Sequence, residues 1–467
     1  MSHLKYIFFC IGVVSAILIA HAIFFTTSTP TENTIIYTNN GYEPKTLRVP
    51  VGTTVTFENQ SDTSFWPASD LHPNHGVYPE FDTREMLGPS ATWQFTFDKV
   101  GPWGYHDHVE AHHIGSVIVY DPENNDAAKT CEAHDGRLES ECFLHTINTA
   151  IENDGPVAGL QVLIENRDNH AMGCHLLTHE IGLKTYAEYG TAFDLDASMR
   201  ICAGGFFHGL MEGMLSDTYD IAAAAAWCTK AGEQLHGQYP DTEGRCAHGI
   251  GHGVAEHLMG EQYLDWKTPE QIITEGTAEC DIYHYDEQLR KVCLAGVYSV
   301  VIDWVVLGDA AQDIFTKDDP FKLCRMQGDW FNVDECMQEF SQRLYIFFDD
   351  DYASSFAAAY NSLTTDEKSM HGPSVFRALA LQYGVRSMSI RQTIDDVELA
   401  VCTTYTGELR QSCIIGLVSS SLAQANTTAV TGVADTLCGS TLLTKEEQRL
   451  CHGYKNENTY ELFGERR

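Results

Sequence analysis

Residues 92–121 read TWQFTFDKVGPWGYHDHVEAHHIGSVIVYD, and they decide the architecture of the first half of the chain. Thr92-Trp93-Gln94-Phe95-Thr96-Phe97 alternates polar and apolar side chains, and so does Gly115-Ser116-Val117-Ile118-Val119-Tyr120. A period of two puts one set of side chains on a buried face and the other toward solvent, the mark of a half-buried strand. Upstream, Thr46-Leu47-Arg48-Val49 and Thr53-Thr54-Val55-Thr56-Phe57 repeat the pattern. Short strands at regular spacing predict a β-sandwich over residues 33–121.

Three stretches in this region, GYEPKTLRVPVGTTVTFENQ (41–60), TWQFTFDKVGPWGYHDH (92–108) and GSVIVYD (115–121), resemble the plastocyanin–azurin cupredoxins in sequence and order. The resemblance spans residues 34–121 and implies a Greek-key sandwich with a metal site at one end. Two departures bear on the metal. Asp107 stands where that family carries its copper-binding cysteine, and Phe65-Trp66-Pro67 occupies the stretch of its upstream histidine. Without a thiolate the strongly coloured blue-copper site cannot form.

Histidines nevertheless crowd two loops: His72 and His75 in the first, His106, His108, His112 and His113 in the second. His106 and His108 are two apart on a strand and share a face. These imidazoles form a candidate site suited to copper, with zinc next. The alternative is an ordered end-loop built by Trp66, Pro67, Pro73 and Pro79, with exposed histidines.

Residues 4–25 are an almost unbroken apolar run with Lys5 its only charge. About 20 such residues can span a bilayer as a helix. Residues 1–26 are therefore expected to form a transmembrane anchor, with Ala20-His21-Ala22 leaving signal cleavage as the alternative. The positive edge stays inside, so the remainder is expected to be extracytoplasmic, at a cell surface or in a periplasm. Fifteen cysteines agree: Cys10 lies in the apolar run and leaves an even set beyond it. Acidic residues outnumber basic ones by 65 to 29, for a formal charge of −36. No basic stripe exists to neutralise phosphates, which excludes nucleic acid as a partner.

After an acidic linker (residues 122–130) the pattern turns helical, and residues 131–467 predict an all-α domain. Its cysteines fall into local couples: Cys131/Cys142, Cys228/Cys246, Cys280/Cys293, Cys324/Cys336, Cys402/Cys413 and Cys438/Cys451, with Cys174/Cys202 as a seventh. The second member often opens an apolar helix with a glycine three residues later, as at Gly205, Gly249, Gly296 and Gly416. This is a degenerate internal repeat of helical hairpins, each stapled near its loop. No CxxC couple or haem signature supports thiol–metal ligation instead.

Three successive units carry His175/His179, His208/Glu212 and His248/His252/Glu256 at i,i+4 spacing. Each set shares a helix face, and two imidazoles one turn apart can chelate one ion. Copper is the expected metal, with zinc or iron as further candidates here. Gly249, Gly251 and Gly253 indicate a close backbone approach, to a neighbouring helix or to a ligand. The zincin pattern that begins at His179-Glu180 fails at Leu183, and no Gly-x-Ser-x-Gly elbow or phosphate loop exists. The leading expectation is a membrane-anchored extracytoplasmic protein that holds or passes copper between two histidine-rich regions. A metal-dependent enzyme with its site in the helical domain is one alternative. A stapled interaction scaffold with structural histidines, whose protein partner the sequence does not name, is the other.

Overall fold

The computed structural model describes residues 33–72, 75–122, 140–166, 174–235, 242–265, 268–307, 316–391, 393–423 and 428–463. The apolar run at residues 4–25 and Cys131 lie outside them. Among the described residues, no helix is long and apolar enough to cross a membrane.

The N-terminal domain is a sandwich of two four-stranded sheets. Its strands are β1 (Thr34–Thr38), β2 (Gly41–Glu43), β3 (Thr46–Pro50), β4 (Thr53–Asn59), β5 (Pro67–Ser69), β6 (Thr92–Phe97), β7 (Gly101–Asp107) and β8 (Ile114–Tyr120). One sheet runs β2-β1-β4-β6 and the other β3-β8-β7-β5. The pairs β1/β4 and β3/β8 are parallel, so each sheet joins strands distant in sequence. Alternation sends Val55 and Phe57 of β4, Trp103 and Tyr105 of β7, and Val117 and Val119 of β8 into the core. Phe81 packs among them, stacked on Trp93. On β7 both neighbours of Asp107's inward set, Gly104 and His106, fall on the opposite face. His106 is nevertheless only 1% exposed, because that face meets the second domain.

In the helical domain the long helices pack in chain order. Cys174–Tyr189 lies against Gly205–Thr218, then come Thr242–Asp265, Glu287–Leu307, Trp330–Arg343, Gly372–Arg391, Gly407–Ala423 and Lys445–Phe463. One continuous apolar core follows this row of helices. Each unit therefore buries its face against its neighbours, as a repeat protein does.

Six of the expected disulfides are present: Cys174–Cys202, Cys228–Cys246, Cys280–Cys293, Cys324–Cys336, Cys402–Cys413 and Cys438–Cys451. Cys142 is also disulfide-bonded. Closing loops of this length stabilises by about 3 kcal/mol per bridge in the chain-entropy view. One detail differs from the sequence reading. Cys246, Cys293, Cys336, Cys413 and Cys451 sit in the second turn of their helices rather than at the start. The staple must reach back past the loop, so it needs a residue already inside the helix.

The glycine three residues after the cysteine marks a helix crossing. A β-carbon on Gly249 would lie 2.7 Å from the Phe207 carbonyl oxygen, and one on Gly296 2.1 Å from that of His248. Gly251 faces the Cys293 carbonyl oxygen at 2.1 Å in the same construction. These glycines therefore admit a neighbouring helix, not a ligand.

Residues 70–72, which follow β5, leave the sandwich and enter the helical domain. Leu71 is buried in the helical core rather than in that of the sandwich. The His72 backbone N–H donates to the Glu180 carboxylate. Lys45 pairs with Glu188 across the same junction, and His112 Nδ1 lies 3.0 Å from Ser216 Oγ.

Gly296→Ala is expected to destabilise the protein by about 1–3 kcal/mol, since its methyl group would enter a backbone contact. Gly453→Ala, in the Lys445–Phe463 helix with nothing within 4 Å of the new β-carbon, should be neutral or stabilising by up to about 1 kcal/mol. Chemical denaturation of both variants against the parent checks this; equal midpoints for the two would remove the crossing role of Gly296.

Candidate metal centre

The sequence proposes two histidine groups, and the domain junction brings them to within one side chain of each other. In the sandwich, His72, His106 and His108 each offer a ring nitrogen, and these atoms all lie within 4.8 Å of one another. His75 completes a four-imidazole cluster, with its Nε2 3.0 Å from His108 Nδ1. Its other nitrogen, Nδ1, lies 2.9 Å from Asp82 Oδ2, and Asp82 is in turn bonded by the Trp66 indole N–H at 2.7 Å. A carboxylate behind an imidazole fixes the tautomer and orientation of the ring. Burial works against the Asp82 charge, but the His75 bond, its charge and the Trp66 bond outweigh it and hold the carboxyl at about 2.

Burial pushes His106 and His108 well below the usual histidine range, and the neighbouring imidazoles push in the same direction. Both rings are therefore neutral at physiological pH, the form that binds metal. Neither ring nitrogen of His106 has a hydrogen-bond partner. Gly104, two residues earlier on the same face, leaves room for Asp70, whose Oδ1 is 3.7 Å from His106 Nδ1.

His112 and His113, grouped with these four by sequence, are not part of the cluster. Asp107 explains the separation. Its carboxylate accepts the backbone N–H groups of Trp66 (2.8 Å), Val109 (2.9 Å) and Glu110 (2.8 Å), which turns the chain away immediately after His108. His113 Nδ1 then bonds the Tyr37 hydroxyl at 2.8 Å, and His112 faces Ser216 and Asp217. The residue in the cysteine position of the cupredoxin resemblance is a loop latch, its carboxylate taken up by three backbone N–H groups.

The second cluster forms where three helices cross. His179, His208 and His252 each offer a ligand atom within 4.8 Å of the others. His175 and His248 join them, at ring-centre distances of 5.0 Å and 4.8 Å from His208. Hydrogen bonding fixes several tautomers. His175 Nδ1–H donates to the Cys202 carbonyl (2.9 Å), and His248 Nδ1–H to the Val292 carbonyl (3.0 Å). His252 Nδ1–H donates to Glu212 Oε1 (2.9 Å), which also takes His179 Nε2 at 3.0 Å. Burial opposes the Glu212 charge, but the His179 charge and the bonds from His179 and His252 keep its carboxyl well below the usual range.

One consequence is specific. With both Nδ1 atoms protonated, the lone pairs of His248 Nε2 and His252 Nε2 face each other at 3.1 Å, with Ser299 Oγ 3.0 Å from the latter. Two facing lone pairs repel unless a cation lies near both. Burial lowers the pKa of both rings, and that of His248 strongly, so a proton is disfavoured in that role and a metal ion fits it.

Glu256, assigned by spacing to the His248/His252 pair, faces His72 instead, with its Oε1 3.7 Å from His72 Nδ1. Glu212 turns its second oxygen, Oε2, toward the same nitrogen at 3.8 Å. The meeting of His72 with these two carboxylates was not read from the sequence. The only signal was that all three residues are titratable and sit on apolar-flanked segments, which does not specify an encounter between domains.

No family model and no curated protein matches the chain. Solved structures similar to it include a purple cupredoxin from Nitrosopumilus maritimus, at 26% identity over 19% of this chain and 98% of that one, TM-score 0.17. A mutant amicyanin in its Cu(I) form matches at 25% identity over 19% of this chain and 80% of that one, TM-score 0.17. A copper-containing nitrite reductase from Thermus scotoductus matches at 29% identity over 20% of this chain and 23% of that one, TM-score 0.18. The likeness is thus confined to about a fifth of the chain.

In the metal-free protein, nitrogen NMR is expected to show His248 and His252 as neutral Nδ1–H tautomers near pH 7. Burial lowers the His208 and His248 pKa values, so their protonation moves to lower pH. Both should therefore protonate only below the ordinary histidine value of about 6.5. Imidazolium signals from both near pH 7 would contradict the geometry.

Proposed function

We propose that this chain is a copper-binding protein, anchored in a membrane and acting outside the cytoplasm, with one copper site in each domain. The observation that carries the reading is the set His72, His106 and His108, whose ligand atoms lie within 4.8 Å of one another. With His75 it is an all-imidazole environment. Such a donor set suits Cu(II) above other first-row divalent ions. The helical pocket of His175, His179, His208, His248 and His252 holds the second ion, oriented by Glu212 and by the backbone carbonyls of Cys202 and Val292. His72 stands between the two pockets, which supports transfer of copper from one to the other. The apolar run at residues 4–25 and the disulfide-rich ectodomain support the location.

Copper titrated into the full chain should bind without the intense blue colour of a thiolate–copper bond, and its spin resonance should report nitrogen ligands. His106→Ala combined with His108→Ala should remove the copper of the sandwich and spare that of the helical pocket. Glu212→Gln should weaken the helical site about 10–100-fold, the usual effect of losing a carboxylate behind ligating histidines. Undiminished copper stoichiometry and affinity in all these variants would end the proposal.

A further inference from the structure

The geometry points to a third cation site, at the junction of the two domains, formed by His72 Nδ1, Glu212 Oε2 and Glu256 Oε1. It rests on the metal-binding reading above and shares His72 with the sandwich cluster, but adds Glu256 and the second oxygen of Glu212. The three atoms lie within 4.8 Å of one another, at 3.8 Å from His72 to Glu212 and 3.7 Å from His72 to Glu256. All three are buried, and none has a hydrogen-bond partner. Three orphaned polar atoms around one point are costly unless something binds them, because each forfeits its contact with water.

The spacing suits a metal better than a direct bond. Ligands held about 2.0–2.2 Å from a zinc-like ion lie roughly 3.0–3.6 Å apart, and small side-chain shifts close the remaining gap. A hydrogen bond between the same atoms would require an approach of most of an ångström.

The surrounding structure leaves these atoms little freedom to find other partners. Glu212 Oε1 is already held by His179 and His252, so Oε2 is aimed at the junction. His72 is anchored by its backbone N–H on Glu180 and by buried Leu71 beside it. Lys184, a nearby cation, is engaged by Glu152 and Glu188. One imidazole and two carboxyl groups bring one nitrogen and two oxygen donors, a set for a borderline divalent cation of the zinc class. Because His72 comes from the sandwich and the carboxylates from the helices, the ion would pin the two domains together.

Glu256 belongs to neither histidine pocket and isolates the site. The full chain, stripped of metal and titrated with zinc and then copper, is compared with Glu256→Gln and with the His106→Ala/His108→Ala variant. The parent should bind one more equivalent of zinc than Glu256→Gln, while both take up the same copper. The double histidine variant should lose the copper of the sandwich and keep that zinc. X-ray absorption of the zinc-loaded parent should show mixed nitrogen and oxygen ligation for the extra ion. Equal zinc stoichiometry in parent and Glu256→Gln, or an all-nitrogen shell for the extra ion, overturns the site whatever copper does. Absence of copper from the parent with the zinc difference intact would remove the copper reading and leave this one standing. Should Glu256→Gln fail to fold, Glu256→Asp serves instead, with at least a tenfold loss of zinc affinity expected and an unchanged affinity overturning the site.

Discussion

The buried carboxylate of Glu212 is the interaction on which the centre of this protein depends. An ionised side chain 1% exposed costs several kcal/mol of desolvation unless partners restore what water supplied. Glu212 recovers that cost through imidazoles from three separate segments: His179 from one helix, His252 from another and His72 from the sandwich loop. The carboxylate therefore organises the helical histidine pocket and also draws the sandwich onto the helices. Removing it would leave His252 without the acceptor that fixes its tautomer, and the facing Nε2 pair with His248 would lose its orientation.

That arrangement is possible only because the helices approach to backbone distance. Gly182 and Gly209 face each other's helices, and Gly249, Gly251 and Gly296 do the same one step further along the row. A larger residue at these positions would hold the axes apart and move the imidazoles out of mutual reach. Glycine lowers the intrinsic stability of a helix, by about 1 kcal/mol per residue relative to alanine. The disulfides offset this by restricting the unfolded chain, so the loose-looking helix that carries His248 and His252 remains a rigid support.

The sandwich solves a related problem in its own way. In the resemblance to cupredoxins, the position of Asp107 is that of a metal-binding thiolate. Here the side chain at that position accepts three backbone N–H groups and closes a loop. The histidines instead use the opposite face of β7, where strand alternation places His106. An outward face would ordinarily leave a cluster of imidazoles in water. The helical domain covers it, and burial keeps His106 and His108 neutral and available as ligands.

Local pattern was enough to reveal both fold classes. Period-two alternation marked β6 and β8, the Cys-to-Gly spacing marked the hairpin repeat, and short separations allowed five of the six observed pairings to be read, with Cys174–Cys202 left as the remaining couple. These features involve residues near in sequence, so the chain carries their signal without reference to the fold. The i,i+4 histidines were legible for the same reason, as one turn of helix sets their common face. What lay beyond sequence was every relation between distant segments. The separation of His112 and His113 from the other four histidines followed from the hydrogen bonds of Asp107, which spacing does not encode. Glu256 shares a helix face with His252 yet meets His72, because the domain junction and not the helix decides which partner is within reach. Docking of the loop at residues 70–72 into the helical core is a matter of shape and buried charge, and only the assembled structure contains it.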